Sequence, residues 1–365
     1  MKIAVYGAGG YTGRLVAARV RAKGAEPVLV GRGTERLRHA ASAAGVEGAE
    51  LRTAGLDDPD ALARALDGCA AVVNCAGPFT RLGEPVVRAA IAAGCHYVDT
   101  TAEQLYIQRI FDTCGVDAAS AGVTVIPAMG YDIVPGDLLC HLVGTAVAPV
   151  QRLTLAYDIR DFGMTRGSAR SVLEMYTGGE VAYRAGTWAP GGGPTRRDPV
   201  VFPGETRPAK TVRWPAGEIV TVPRHLEVRE VDVVMRADAL VPSPVSVVAP
   251  SLMPIMTAVM RTPLGRGLDK LVGRLPEGPS EEQRRKARFG FVAEATGTDG
   301  RTSRGVLQGE DVYGSTAAIA VEGATRLAGG GSAAGVLAPS QAFDPEDLLA
   351  ALAGDGITWS VDGPS

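Results

Sequence analysis

The stretch Met1-Lys2-Ile3-Ala4-Val5-Tyr6-Gly7-Ala8-Gly9-Gly10-Tyr11-Thr12-Gly13 decides how the rest of the chain is read. Lys2–Tyr6 is a short apolar run that predicts a β-strand, and a helix is expected from the glycines to about Lys23. A glycine at the strand end permits a tight turn, and the next lets backbone approach a pyrophosphate. The last allows the helix to pack closely on the strand. The helix start then offers free N–H groups and the positive end of its dipole to an anion. The spacing is Gly7-x-x-Gly10-x-x-Gly13, because Thr12 stands where a stricter pattern would end. Gly7, Gly9, Gly10, Tyr11, Thr12 and Gly13 are therefore expected to bind a dinucleotide.

Working outward, strand and helix signals alternate through residue 127. Strands are expected at 27–30, 50–53, 71–75, 97–100 and 124–127. Helices are expected at 34–44, 58–66, 84–93 and 104–121, with Asp58-Pro59 as a cap followed by proline at the first helical position. This alternation predicts an α/β fold, a Rossmann-type doubly wound parallel sheet covered on both faces. After residue 127 the rhythm changes. A helix at 137–143, strands at 152–157, 226–235 and 287–295, and a helix within 252–274 predict an α+β domain with a mixed or antiparallel sheet. Residues 189–199 read as a loop, and helices return at 315–327 and after Asp344.

The end of the second strand separates NAD from NADP. An acidic residue there would hold the ribose 2′-hydroxyl. This chain has Gly31-Arg32 instead, and a guanidinium pairs bidentately with a 2′-phosphate. The expected cofactor is therefore NADP(H).

Composition excludes several classes. The chain has 365 residues, 46% hydrophobic and 21% charged, with a net charge of −3. That is an ordinary globular composition with no global positive field for nucleic acid. The four histidines are scattered, so no metal site is expected. The five cysteines have no CxxC spacing and fit buried thiols in a cytoplasmic protein. The N-terminus reads as a strand, not a signal peptide. Residues 239–260 carry no charge, but Pro242, Pro244, Pro250 and Pro254 interrupt them, so a buried loop or interface is expected and not a membrane span. Only five of the 37 basic residues are lysine. Arg19, Thr206, Arg266 and Glu282 stand four positions before Lys23, Lys210, Lys270 and Lys286, so Tyr-x-x-x-Lys chemistry is absent. There is also no GxSxG elbow and no GxxxxGK loop.

Several segments align in order with one family: the glycine turn, Gly31-Arg32, NCAGPF with GEPVV at 83–87, AAGCHYVDTTAEQ and AMGYDIVPGDLL. GVLQGEDVYGSTAAIAVEGA and AGVLAPSQAFDPEDLLAAL follow. Together they resemble the saccharopine dehydrogenase-like oxidoreductases, a superfamily that includes the trans-acting enoyl reductases. Ala102, Ile133 and Gly136 depart from the family pattern, which tends to carry glycine at the first and serine at the other two. The resemblance implies a Rossmann domain of residues 1–128 with 312–356, interrupted by an α+β domain at 129–311 for substrate and dimerisation. It also implies NAD(P)H-dependent hydride transfer to C=C or C=N, and a homodimer.

Ligands in such sheets bind beyond the carboxyl ends of the strands. Ala76, Gly77 and Pro78 are expected along the cofactor, with Asp99, Tyr131 and Asp132 the titratable groups nearest the reacting centre. Tyr131 or Asp132 is the candidate proton donor, although Asp132 could equally cap the following helix and Tyr131 could be packing. Ser168, Arg170 and Tyr176 resemble a stretch that faces substrate in relatives; the plainer reading is an N-capped amphipathic helix. The partner is a small molecule. Two other readings stay open: a saccharopine-type amino-acid adduct dehydrogenase, needing clustered arginines among Arg166, Arg170 and Arg184, and a non-catalytic NADP-binding sensor. If Arg32 selects the 2′-phosphate, Arg32→Ala will lower NADPH affinity far more than NADH affinity in fluorescence titrations. An unchanged NADPH/NADH ratio contradicts the assignment.

Overall fold

The computed structural model describes residues 1–191, 198–240, 272–274 and 276–364. The apolar 239–260 segment and the helix expected within 252–274 lie almost wholly outside them.

Strands β1 (Lys2–Tyr6), β2 (Glu26–Gly31), β3 (Glu50–Thr53), β4 (Ala71–Asn74), β5 (His96–Asp99) and β6 (Thr124–Ile126) form a parallel sheet. Their order is 3-2-1-4-5-6, and a short strand at Gly335–Val336 pairs parallel with β6 as the seventh. Ile3, Val5, Ala71, Val73 and Val98 are fully buried, as expected for strands covered on both faces. Helices α1 (Tyr11–Ala22), α2 (Thr34–Ala43), α3 (Pro59–Arg64), α4 (Phe79–Ala92) and α5 (Gln104–Ser120) connect these strands. The later helix Val312–Gly329, rich in alanine and almost wholly buried, lies against α1, β4 and β5. It completes one face of this sheet, so the first sheet is finished by a segment late in the chain.

Helix α4 begins at Phe79, five residues before the expected Glu84. Its start is capped from a distance. Glu103 accepts hydrogen bonds from the Phe79 and Thr80 backbone N–H groups at 2.8 and 2.6 Å. A carboxylate there meets the orphan donors and the positive dipole end. Local sequence carries no sign of it, because the capping residue lies on the next βα unit.

The second sheet is mixed. Helix α6 (Val134–Thr145) leads into the long strand β7 (Val150–Arg160), followed by α7 (Arg166–Thr177) and the hairpin β8 (Val181–Arg184) and β9 (Thr187–Pro190). Next come β10 (Thr211–Arg213), α8 (Glu218–Thr221), β11 (Val231–Arg236), β12 (Arg288–Gly297) and β13 (Thr302–Glu310). β7 lies parallel to β11 and antiparallel to β12. Strand β11 starts at Val231, later than the expected 226. The β13 partner of β12 and the closing strand Thr358–Val361, paired with β13, were not anticipated. Both show alternating exposure; the Thr358–Val361 strand forms the sheet edge and β13 lies just inside it. Helix α6 joins the two sheets. Leu138, Leu139 and Val143 share one buried cluster with Leu155, Phe291 and Leu307 of the second sheet and with Val5 and Val98 of the first.

Candidate cofactor and substrate cavities

The glycine turn is built as its composition requires. Gly7 has φ +78°, and Gly10 N–H donates to the Gly7 carbonyl at 2.9 Å. A methyl group at Gly13 would sit 2.4 Å from that same carbonyl oxygen, so only glycine lets α1 approach β1 this closely. Helix α1 has no side-chain cap and no acidic residue in its first turn. Its N-terminal N–H groups therefore face a cavity of about 620 Å³. Gly7, Gly9, Gly10, Tyr11, Thr12, Arg32, Ala76 and Gly77 line it. Pro78 lies just behind as the N-cap residue of α4.

Three neighbours of this cavity were not anticipated. Arg36, in the first turn of α2, lies across Gly9, with its Nε 2.8 Å from where a Gly9 Cβ would be. The Arg32–Arg36 spacing was the available signal. Glu277 forms a two-armed ion pair with Arg14, both contacts 3.1 Å. The Tyr11 hydroxyl donates to the Pro279 carbonyl at 3.0 Å, so the 277–279 segment is strapped over the start of α1.

A second cavity of about 560 Å³ adjoins the first. Thr12, Cys75, Gly77, Thr165 and Gly167 line both, so the two open into each other at this junction. Thr165 caps α7 by accepting from Ser168 N–H at 3.0 Å, and its own N–H donates to the Tyr313 hydroxyl at 2.8 Å. Tyr313, on the Val312–Gly329 helix, thereby fixes α7 over the junction; neither residue was singled out from sequence. The far walls carry Phe79, Ile159, Phe162, Met164, Val172, Met175, Trp214 and Met235.

The candidate acids separate clearly. Tyr131 and Asp132 line the second cavity. The Tyr131 ring packs on Phe289 at 5.4 Å, and burial raises its hydroxyl well above the usual range. Burial also pushes the Asp132 carboxyl up to about 7, with the Asp99 charge adding in the same direction. Asp99 lines neither cavity. Its Oδ1 accepts from Thr101 and Ala128 N–H at 3.1 and 2.8 Å, and its Oδ2 from the Tyr97 and Tyr106 hydroxyls at 2.8 Å each. Burial outweighs these bonds and raises it to about 6.

Ser168 lines the second cavity, whereas Arg170 and Arg166 line the first. Tyr176 falls in the last turn of α7, and its side chain lies outside the described residues. Arg184 lines neither cavity and pairs with Asp232. No helix of the described residues is long and apolar enough to cross a membrane.

The chain is similar to several known proteins. Residues 3–126 match the family model described as the saccharopine dehydrogenase NADP binding domain. A putative trans-acting enoyl reductase of Mycobacterium tuberculosis (strain ATCC 25618 / H37Rv) is 32% identical over 185 residues, 49% of this chain and 42% of that protein. A trans-acting enoyl reductase of Mycobacterium bovis (strain BCG / Pasteur 1173P2) is 35% identical over 140 residues, 37% of this chain and 34% of that one. The matched segment is thus less than half the length of either relative. The apo structure of saccharopine dehydrogenase (L-Glu forming) from Saccharomyces cerevisiae superposes with a TM-score of 0.60 at 14% identity, covering 99% of each chain. That likeness shows the fold: a Rossmann-type sheet joined to a second, mixed sheet.

The Asp99 cluster is expected to be a stability element. Asp99→Ala strands four buried donors and will lower the unfolding free energy by about 3 kcal/mol or more in urea titrations. A variant with unchanged stability contradicts that assignment.

Proposed function

We propose that this chain is an NADPH-dependent oxidoreductase that reduces a C=C bond of an enoyl substrate or a C=N bond of an imine. The observation that carries the reading is the junction of the two cavities. A glycine turn with an uncapped helix start opens directly into a second cavity that has a carboxyl of near-neutral pKa on its wall. The matched NADP-binding family model and the names of the mycobacterial relatives support the same chemistry.

The residues present fit the cofactor. The cradle at Gly7, Gly9 and Gly10 is one that side chains would fill, and among the described residues no side chain caps the start of α1. These groups would hold the pyrophosphate, and Arg32 with Arg36 would hold the 2′-phosphate. When bound, NADPH supplies the hydride. Asp132 supplies the proton that reduction requires. Its raised pKa keeps a large fraction protonated at neutral pH, and burial excludes competing water. Asp99 acts as scaffold, and Ser168 contacts substrate.

Aromatic and aliphatic walls favour an apolar enoyl substrate over an adduct with several carboxylates. The two arginines of the second cavity are already ion-paired: Arg160 with Asp158 and Glu205, Arg236 with Glu205 and Asp238. Arg166 and Arg170 face the other cavity. We also propose the division into 1–128 with 312–356 and 129–311, a homodimer as the resemblance implies, and a cytoplasmic setting, to which five free thiols are suited.

NADPH oxidation followed by absorbance against a panel of enoyl thioesters and imines tests the reading. Activity is expected with apolar enoyl thioesters, constant below about pH 7 and falling about tenfold per unit above it as Asp132 loses its proton. Asp132→Asn will lower kcat by about 100-fold with NADPH affinity unchanged. Tight NADPH binding with no turnover on any member of the panel favours the sensor reading.

A further inference from the structure

Behind the wall that carries Asp132 lies a carboxyl for which the proposed reaction has no use. Glu218, on α8, is fully buried. Its Oε1 contacts the Tyr157 hydroxyl, and its Oε2 has no side-chain partner among the described residues. The Tyr157 hydroxyl also reaches the main-chain carbonyl of Asp132 at 2.6 Å. Tyr157 is held from the other side by Phe291, ring centroids 4.6 Å apart.

Counting protons leaves two states for this group. A phenol has one hydrogen, and the Asp132 carbonyl accepts only. If Tyr157 donates to that carbonyl, the contact with Glu218 is a hydrogen bond only when Glu218 donates. The surroundings agree. The charged groups facing Glu218 are Asp132 and Asp137, both acidic, with the Cys140 thiol of α6 beside them. Asp137 is engaged elsewhere, with His225 at 3.0 Å and the Ser340 hydroxyl at 2.6 Å. Among the described residues no cation is ion-paired with Glu218, and an uncompensated buried carboxylate is costly. Burial correspondingly raises its pKa well above the usual range. The site has room for this side chain: a Cβ at Gly136 would sit 2.4 Å from Glu218 Oε1, so glycine there leaves the space Glu218 fills.

We infer that Glu218 is a proton-bearing positioning residue, whose carboxyl donates to Tyr157, which in turn donates to the Asp132 carbonyl and holds the Asp132 carboxyl on the cavity wall. Two hydrogen bonds in series polarise each other, so the chain is stiffer than either bond alone. When Glu218 ionises, it accepts the Tyr157 hydrogen and the Asp132 carbonyl loses its donor. The cavity thus has a second proton-dependent element beside the Asp132 carboxyl.

The inference rests on the proposed function only in taking Asp132 as the working acid, and its test is spectroscopic. Infrared difference spectra of the protein are expected to show a protonated-carboxyl band at neutral pH that persists in Asp132→Asn and is absent in Glu218→Gln. The Asp132 midpoint, read from its own band by difference against Asp132→Asn, is expected near 7 in Glu218→Gln, which still donates to Tyr157. In Glu218→Ala it should fall by about one unit or more toward the ordinary carboxylate range. Tyr157→Phe, nearly isosteric, should reproduce the Glu218→Ala shift. Absence of a Glu218-dependent acid band at neutral pH overturns the inference, as does the same Asp132 midpoint in the alanine and glutamine variants. A protein that shows the band and the shift but never oxidises NADPH would fail the oxidoreductase reading alone.

Discussion

Helix α1 can meet strand β1 only because Gly13 has no side chain, and the rest of the structure depends on that contact. With Gly13 against the Gly7 carbonyl, the start of α1 is set on the wall of the first cavity, and no described side chain caps it. Strand order reverses between β1 and β4, so the same point is where a parallel sheet opens a crevice. An anion-seeking helix end and a crevice therefore coincide for one steric reason. Tyr11 and Arg14, on that helix, then bind the 277–279 segment, which draws the second half of the molecule over the turn.

The second sheet serves chiefly to close and furnish the crevice. Helix α7 covers the junction because Thr165 and Ser168 are fixed to Tyr313, a residue of the helix that completes the first sheet. Asp132 reaches the cavity because the turn before α6 follows directly from β6, and Tyr157 of β7 is bonded to that turn. Acidic groups at this end of the sheet thus have different work set by surroundings. Asp99 is saturated with donors and supports the strand ends. Asp132 has no side-chain donor committed to it and faces the cavity. Glu218 carries a proton behind it.

Much of the first sheet was legible because its signals are local. The glycine turn, the apolar runs of β1 and β4, and the Asp58-Pro59 cap each act within a few residues. The place of Arg32 on the cavity wall was legible for the same reason, as the residue just after a strand. What escaped notice depends on contacts between distant segments. The start of α4 is set by Glu103, and Arg36 lies over Gly9 only once α2 has folded back. Tyr313 and Tyr157 gain their roles from partners more than a hundred residues away or on another layer. Asp99, Tyr131 and Asp132 were picked as one group, since sequence places all three at strand ends. Only the hydrogen-bond partners separate them, and no spacing rule encodes those.

The most direct measurement of the central claim, that the glycine turn and the Asp132 cavity form one continuous reaction site, is a crystal structure of the protein with NADPH. The account predicts the pyrophosphate on the α1 N–H groups and the nicotinamide at the junction of Thr12, Gly77 and Thr165, with its reactive face open to the cavity that holds Asp132. A nicotinamide sealed against protein, or turned away so that no cavity adjoins its reactive face, would contradict it.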